Sequence, residues 1–218
     1  MKILLVNPSK YHQVWAGIPD IFNTPDIYLF PPLGIMTLSA YLKKYSEHEI
    51  HLMDCVAEKA RPSAVAERAN EIGADVVGIL TLTHNLVDVA MILKEIKKSS
   101  PGIHTVIGGP HTYVYPRASM EIPGVDAVVR GDGEETFTEW LSALSGEKDL
   151  SDVRGILYKH GNQIIENPPR EPLADLNSLP FPDRKSLIHH RYFTPAMRRP
   201  KGTTLITSRG CPNRCVFC

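Results

Sequence analysis

Three of the four cysteines lie within the last eight residues, at Cys211, Cys215 and Cys218. Their C-x3-C-x2-C spacing puts three thiolates on one short loop, and three thiolates can ligate three irons of a cubic [4Fe–4S] cluster. The fourth iron then has no protein ligand, and an open iron is what a cluster needs in order to bind and reduce a small molecule. The spacing therefore predicts a [4Fe–4S] cluster with one open coordination site.

Zinc binding and a chance grouping of thiols both fit these cysteines less well. A structural zinc site needs a fourth cysteine or histidine, but there is no upstream C-x2-C pair, and the nearest histidines, His189 and His190, are about twenty residues away. Three incidental thiols would not account for the strand-like run at 203–207 and the turn at Gly210 that precede them. Cys55 stands alone, so the pattern does not indicate a secreted disulfide framework.

The composition limits the partners and the location. The 218 residues carry 24 Lys and Arg and 24 Asp and Glu, and this balance gives no general attraction to nucleic acid or to an anionic membrane. No run approaches the roughly 20 apolar residues that cross a bilayer, and the apolar run at 3–6 is shorter than a signal-peptide core of about 7–15 residues. We therefore expect a cytoplasmic protein without a membrane partner, and the composition does not argue for a nucleic-acid partner.

Short apolar runs alternate with longer amphipathic stretches, as in βα units on a parallel sheet. The predicted strands are 2–6, 49–53, 75–82, 103–107 and 127–129, and the predicted helices are 33–45, 62–72, 85–99 and 133–144. The nearly continuous apolar run at 75–82 is typical of a parallel strand buried on both faces. The pattern predicts an α/β fold with a doubly wound, five-stranded parallel sheet of the flavodoxin-like kind, which binds ligands beyond the carboxyl ends of its strands.

The character of the chain changes after about residue 147. Residues 155–166 indicate a small hairpin that turns at 160–162, and a Pro-rich connector follows, which is an extended segment with restricted backbone freedom. We therefore divide the chain into a sheet domain at 1–147, a hairpin and Pro-rich linker at 148–202, and the start of a second domain at 203–218, whose first strand is 203–207.

Small and hydroxyl residues lie at the ends of three of the predicted strands: Thr81 and Thr83 at the end of the third, Gly108 and Gly109 after the fourth, and Gly131 and Gly133 after the fifth. A glycine pair at a strand end lets backbone approach a ligand closely, although a tight βα turn alone would also explain Gly108 and Gly109. The first turn of the helix that begins near Gly133 has unpaired N–H groups. We expect these residues to line a ligand site at the carboxyl edge of the sheet.

The segment that contains the cysteines, TTLITSRGCPNRCVFC at 203–218, resembles the first barrel strand and cluster loop of radical S-adenosylmethionine (SAM) enzymes. The chain before it resembles the B12-binding domain of a subfamily that includes anaerobic magnesium-protoporphyrin ester cyclase and many C- and P-methylases. The matching stretches are NP at 7–8, PPLG at 31–34, GGPHT at 108–112, DAVVRGDGEETF at 126–137 and LPFPD at 179–183. Together they span nearly the whole chain.

The resemblance implies that cobalamin lies over the carboxyl edge and that SAM binds at the open iron, where an electron cleaves it to a 5′-deoxyadenosyl radical. It implies cobalamin contacts at Asn7, Pro8, Thr81, Thr83, Gly108, Gly109, Pro110, His111, Gly131, Gly133 and Glu134, and cluster ligands at Cys211, Cys215 and Cys218. It also implies an electron donor such as flavodoxin or ferredoxin. The expected full-length protein is an enzyme of methyl transfer or related radical chemistry. Because only about sixteen residues of the barrel are present, we expect this chain alone to have little or no turnover.

One departure from the classical pattern concerns the cobalt ligand. Classical B12 domains carry Asp-x-His-x-x-Gly after the first strand, whereas residues 7–12 here read NPSKYH. The subfamily usually lacks that motif too, so we expect base-off cobalamin without a histidine on cobalt, and we interpret His12, His84 and His111 as ordinary loop residues. Two alternatives stay open: an accessory domain that has lost cobalamin and serves as an interaction module, and a free-standing corrinoid carrier, which generally keeps that histidine.

Overall fold

Seven strands form one sheet in the computed structural model of the protein, which describes residues 1–12, 29–187, 192, 203–211, 213 and 215–216. The strands are β1 (Lys2–Asn7), β2 (Glu49–Asp54), β3 (Val76–Leu80), β4 (His104–Gly108), β5 (Ala127–Val129), β6 (Ile156–His160) and β7 (Gln163–Glu166). The helices are α1 (Leu33–Tyr45), α2 (Cys55–Glu58), α3 (Pro62–Ile72), α4 (Leu86–Ser99), α5 (Pro110–Val114), α6 (Pro116–Glu121) and α7 (Gly133–Leu144).

Most of these elements agree with the sequence-based expectation, and α1, α3, β5 and α7 have the predicted bounds. The strand predicted at 75–82 ends at Leu80, because the chain turns there into a 3₁₀ helix at Thr83–Asn85, in which Leu82 N–H donates to Asn85 Oδ1 at 2.9 Å. Periodicity does not reveal α2, α5 and α6, since their 4, 5 and 6 residues are too few to show a 3.6-residue repeat.

The first five strands are parallel and lie in the order β2-β1-β3-β4-β5, which confirms the predicted doubly wound sheet. The strand order reverses between β1 and β3, and such a reversal marks the ligand crevice of an open α/β sheet. The predicted hairpin is present as β6 and β7, but it joins the same sheet, since β6 pairs antiparallel with β5 and places Leu157 opposite Val128. The hairpin therefore covers the edge of β5 that an isolated five-stranded sheet would leave open.

The two faces of the sheet pack against different helices. Along β1 the side chains alternate, so that Leu4 and Val6 belong to the core formed with α3 and α4, whereas Ile3 and Leu5 belong to the core formed with α1 and α7. All four of these side chains are buried. In the described part of the chain, no helix combines the length and the apolar character that a membrane span requires.

The connector after β7 is fastened to α1 by Asp183. Its Oδ2 accepts hydrogen bonds from Lys43 Nζ at 2.6 Å, from Ser39 Oγ at 2.8 Å and from Ser186 Oγ at 2.6 Å. Its backbone N–H donates to Met36 O at 2.9 Å. The LPFPD stretch that ends at Asp183 is therefore an anchor between the connector and the sheet domain.

The strand predicted at 203–207 is absent: the structure gives residues 203–210 no strand pairing. A strand needs a neighbouring strand to complete its ladder of hydrogen bonds, and no described residue provides one here. Instead, Arg184 holds the beginning of the segment, because its guanidinium donates to Thr203 Oγ1 and, at 2.8 Å, to Thr204 O.

Asp183 is expected to make the stability of the connector depend on pH. Burial acts to raise the pKa of this carboxyl group, but the hydrogen bonds from Lys43, Ser186 and Ser39 outweigh burial and hold the pKa below its ordinary value. A carboxyl whose folded pKa lies below its unfolded pKa contributes stability above the unfolded value of about 3.9, and this contribution is lost as pH falls through the folded pKa. We expect Asp183→Asn to lower the free energy of unfolding by about 1 kcal/mol at pH 6, after allowing for partial exposure.

Urea unfolding of Asp183→Asn and of the parent chain at pH 6 and at pH 2.5 measures this effect. The difference between the two proteins is expected to shrink at the lower pH, whereas Glu171→Gln, which changes an exposed carboxylate, leaves stability unchanged at both. An equal difference at both pH values would contradict the assigned role of the Asp183 charge.

Candidate functional site

The carboxyl ends of β1, β3, β4 and β5 meet at one edge of the sheet, and the predicted site residues follow those ends. The structure brings the predicted cobalamin residues to this edge but gives them different accessibility. Thr83, Pro110 and Gly131 are exposed; Asn7, Gly108, Gly109 and Gly133 are partly exposed; Pro8, Thr81, His111 and Glu134 are buried. Of these residues, only the exposed and partly exposed ones offer surface to a ligand.

Gly109 is required by the packing of two strands. Its φ of 122° lies in the region that favours glycine, and a Cβ there would lie 2.9 Å from both Leu80 Cδ1 and Thr81 O. The backbones are also joined directly, since Thr81 N–H donates to Gly108 O at 2.7 Å and His111 N–H donates to Thr81 O at 3.1 Å. A side chain at position 109 would therefore collide with the end of β3. This tight turn is enough to explain the glycine without a ligand.

Thr83 and His111 connect the loops that follow β3 and β4. Thr83 Oγ1 lies 3.0 Å from His111 Nδ1, and the His111 ring lies 5.2 Å from the Tyr115 ring. Burial lowers the pKa of His111, so its imidazole is neutral at physiological pH. Thr81, by contrast, donates from Oγ1 to Ile79 O at 3.3 Å and so turns its hydroxyl toward the strand.

The loop after β1 is held by two buried carboxylates. Asn7 Nδ2 donates to Asp54 Oδ1 at 2.7 Å, so its side chain ties the end of β1 to the end of β2. Asp88 on α4 is fully buried and accepts from Ser9 Oγ at 2.9 Å and from the backbone N–H of His12 at 3.1 Å. His12 Nδ1 also lies 3.0 Å from Asp88 Oδ1. These contacts fix the path of the loop that leaves the switch point of the sheet.

The loop from β5 to α7 carries a glycine with open space around it. Gly131 has a φ of 90°, and no atom of the described residues would lie within 4 Å of a Cβ placed there. Asp132 precedes α7 without capping it through its side chain. Its carboxylate and that of Glu134 instead contact Arg209, at 3.2 Å from Nη1 and 2.7 Å from Nη2 respectively. Glu134, with Asp132, raises the pKa of Arg209, which stays charged.

The cysteines divide into one buried residue and an exposed set. Cys55 is the first residue of α2 and is buried, and burial raises the pKa of its thiol well above the ordinary value. Cys211 and Cys215 are exposed free thiols, while Cys218 lies outside the described residues. The described residues alone contain no group of three or more His, Cys, Asp or Glu that could hold a metal ion. The donor chemistry of the two exposed thiols fits iron, and the complete ligand set stays a prediction.

The fold and the edge geometry agree with a comparison against protein families. The family model described as the B12 binding domain matches residues 27–141. This match covers more than half of the 218 residues. The chain therefore belongs to the B12-binding domain family, as the resemblance in the sequence implies.

Curated proteins from several organisms are similar to the chain over its whole length. An uncharacterized methyltransferase of Pyrococcus horikoshii is 34% identical over 219 residues, which is 100% of this chain and 45% of that protein. An anaerobic magnesium-protoporphyrin IX monomethyl ester cyclase of Rubrivivax gelatinosus is 28% identical over 223 residues, which is 100% of this chain and 38% of that protein. The chain thus spans less than half the length of these relatives.

Solved structures share the fold at lower identity. The cobalamin-dependent SAM radical enzyme OxsB, with aqua-cobalamin and SAM bound, matches with a TM-score of 0.65 at 20% identity, over 84% of this chain and 24% of that chain. The radical SAM methyltransferase TsrM from Kitasatospora setae, with cobalamin and a [4Fe–4S] cluster bound, matches with a TM-score of 0.62 at 19% identity, over 87% of this chain and 32% of that chain.

Sequence reasoning does not find Asp88 or Arg209, although both organise the site. Asp88 occupies the first turn of an amphipathic helix, where an acidic residue is ordinarily explained by the helix dipole. Arg209 is separated by 75 residues from its partner Glu134. Its place two residues before Cys211 is the one signal that distinguishes it from the neighbouring basic residues near the end of the chain.

Proposed function

We propose that this chain binds cobalamin across the carboxyl edge of its sheet and that it forms the cobalamin-binding region of a radical SAM enzyme. The observation that carries the proposal is that the B12-binding family match covers β2 to β5, in a sheet whose carboxyl edge offers accessible residues from several loops. When bound, cobalamin supplies methyl-transfer or radical chemistry at cobalt, and a [4Fe–4S] cluster supplies the electron that reductively cleaves SAM.

Thr83, Pro110 and Gly131 are the residues that we propose as the accessible rim for the corrin. They are exposed at the ends of β3, β4 and β5, and the space beside Gly131 is open. The turn at Gly108 and Gly109 supports these residues, because its backbone hydrogen bonds join the loops that follow β3 and β4. The first-turn N–H groups of α7 lie at the same edge and can donate to carbonyl or phosphate oxygens.

Cys211, Cys215 and Cys218 are proposed to hold the [4Fe–4S] cluster, and the iron without a protein ligand to bind SAM. The partners that follow are SAM itself and an electron donor such as flavodoxin or ferredoxin. The relatives named a methyltransferase and an ester cyclase favour methyl transfer or related radical chemistry for the whole protein.

Cobalamin is proposed to bind base-off, without a histidine on cobalt. Among the loop histidines at the edge, His111 is buried with Nδ1 beside Thr83, and His12 is held through Nδ1 by Asp88. The His12 side chain is 45% exposed, so it is the histidine whose removal best tests this part of the proposal. Asp88 holds the His12 ring and also accepts a hydrogen bond from the backbone of the same loop. The position of the ring therefore does not require a cobalt ion.

Blocking the rim tests the location of the cofactor. Thr83→Trp places a large side chain at an exposed position of the carboxyl edge, whereas Lys98→Trp places it at an exposed position in the last turn of α4, at the opposite edge. Equilibrium dialysis against hydroxocobalamin is expected to show at least about tenfold weaker binding for Thr83→Trp, because overfilling a fitted site costs about 1–3 kcal/mol. Lys98→Trp is expected to bind as the parent does. Equal binding by both variants would place cobalamin elsewhere.

A further inference from the structure

Arg209 joins the cysteine segment to the sheet domain through two carboxylates. Its Nη2 lies 2.7 Å from Glu134 Oε1 and its Nη1 lies 3.2 Å from Asp132 Oδ1. The Glu134 side chain is 5% exposed and the Arg209 side chain 26% exposed, so the pair is largely removed from water. An ion pair of this kind is held more strongly than a surface pair, because its charges are poorly screened and a buried carboxylate without a partner is costly.

The position of Arg209 in the chain restricts where Cys211, the first cysteine of the cluster motif, can lie. Only Gly210 separates it from Cys211, so the Cα atoms of Arg209 and Cys211 lie at most about 7.6 Å apart. Gly210 has a φ of 77°, a backbone conformation that favours glycine, and no described atom would lie within 4 Å of a Cβ there. The Arg209 side chain contacts the carboxylates of Asp132 and Glu134, while Cys211 is exposed.

A second contact fixes the other end of the same segment. Arg184 follows Asp183, which is anchored on α1, and its guanidinium donates to Thr203 Oγ1 and Thr204 O. The segment from 203 to 209 is thus held by an arginine at each end, although the described residues give it no strand pairing. Side-chain contacts replace a ladder of backbone hydrogen bonds.

We propose that Arg209 is a positioning residue that holds the cysteine segment against the start of α7, at the edge where cobalamin is proposed to bind. The inference rests on the proposed function for its purpose, but its geometry depends only on Arg209, Glu134 and Asp132. Arginine suits this role because its planar guanidinium reaches two carboxylates at once, whereas lysine carries a single point of charge. Glu134, predicted as a cofactor contact, acts here as the partner of Arg209.

Spin-label distance measurements on the 218-residue chain without cofactors test this proposal. One nitroxide is attached to Cys215 in a Cys211→Ser, Cys218→Ser background, and the second to Lys94→Cys on the exposed side of α4. Cys55 stays unlabelled, because its thiol is buried and its raised pKa keeps it protonated. Pulsed electron–electron double resonance then reports the distribution of distances between the segment and the sheet domain.

A narrow distribution is expected in this background. Arg209→Gln and Glu134→Gln are each expected to raise the ratio of released to held segment by about tenfold or more, the size that corresponds to losing charge-assisted hydrogen bonds. Arg209→Lys is expected to give a distance distribution that is broader than that of the parent background but narrower than that of Arg209→Gln. Arg117→Gln, which removes an ion pair with Glu166 away from the segment, is the matched control and leaves the distribution unchanged. The thermal unfolding midpoint of Arg209→Gln is expected to fall by only a few degrees, because a tenfold release of the segment removes only a small part of the free energy of unfolding.

An unchanged distribution in Arg209→Gln would overturn the proposal, as would equal broadening in Arg117→Gln. Cobalamin binding by the same proteins keeps the two claims apart. A chain that shows the expected broadening but binds no cobalamin contradicts the proposed function alone. A chain that binds cobalamin but shows no broadening contradicts only the role of Arg209.

Discussion

Gly109→Ala is expected to destabilise the fold by about 2–5 kcal/mol, the largest effect of any single methyl group at the carboxyl edge. Two costs add at this position. The backbone conformation, with φ 122° and ψ −170°, is one that side-chain-bearing residues rarely adopt, and the new Cβ would lie 2.9 Å from both Leu80 Cδ1 and Thr81 O. Relief would require β3 and β4 to separate where Thr81 N–H donates to Gly108 O. Urea unfolding followed by circular dichroism measures the loss.

Gly34→Ala is the matched control for this prediction. Gly34 lies in the first turn of α1, and nothing in the described part of the chain would lie within 4 Å of a Cβ there. The same change is therefore expected to be neutral or to stabilise the protein by about 0.4–1 kcal/mol, because alanine restricts the unfolded chain. If both variants proved equally stable, Gly109 would not be a packing requirement, and open space for a ligand would become the better reason for a glycine there.

Cys211→Ser or Cys215→Ser is expected to remove most of the iron binding by the reconstituted chain. With three thiolates the chain should take up about four irons and four sulfides after anaerobic reconstitution, and a serine oxygen is a poor substitute for a cluster thiolate. The measurement is iron and acid-labile sulfide per chain, together with the broad visible absorption of the cluster. We expect either variant to fall to a small fraction of the parent value.

Cys55→Ser provides the control for the cysteine prediction. Cys55 is buried at the start of α2, and burial keeps its thiol protonated, so its replacement should leave iron uptake unchanged. Alkylation of the metal-free chain separates the same two groups, because thiolates react and buried thiols are inert. Cys211 and Cys215 should be modified while Cys55 is protected. Iron uptake that survives loss of Cys211 or Cys215 would contradict the cluster assignment.

The regular elements of this protein are accessible from its sequence because they depend on local pattern. The apolar run of the parallel strand β3 predicts that strand, and helical spacing predicts α1, α3 and α7. The addition of β6 to β5 is not visible in this way, since a hairpin pattern does not say which edge it will join. Edge pairing depends on what lies beside β5 in space.

The sequence is also limited in what it predicts about single residues of the site. The sequence allows two explanations for Gly109, the close approach of a ligand or a tight βα turn, and in the structure a Cβ at this position would meet the end of β3. Asn7 and Glu134 have polar side chains that suit a ligand, but each is engaged by a residue distant in the chain, Asp54 and Arg209 respectively. Pairings across tens of residues follow from the fold and leave no local signal.

The visible absorption spectrum of the chain, taken after incubation with hydroxocobalamin and desalting, tests the central claim most directly. We predict that corrin is retained, that its spectrum is of the base-off form, and that His12→Ala leaves that spectrum unchanged. A histidine-ligated spectrum that is lost in His12→Ala would show that His12 binds cobalt through Nε2. A folded sample that retains no corrin would contradict the proposal that this carboxyl edge is a cobalamin site.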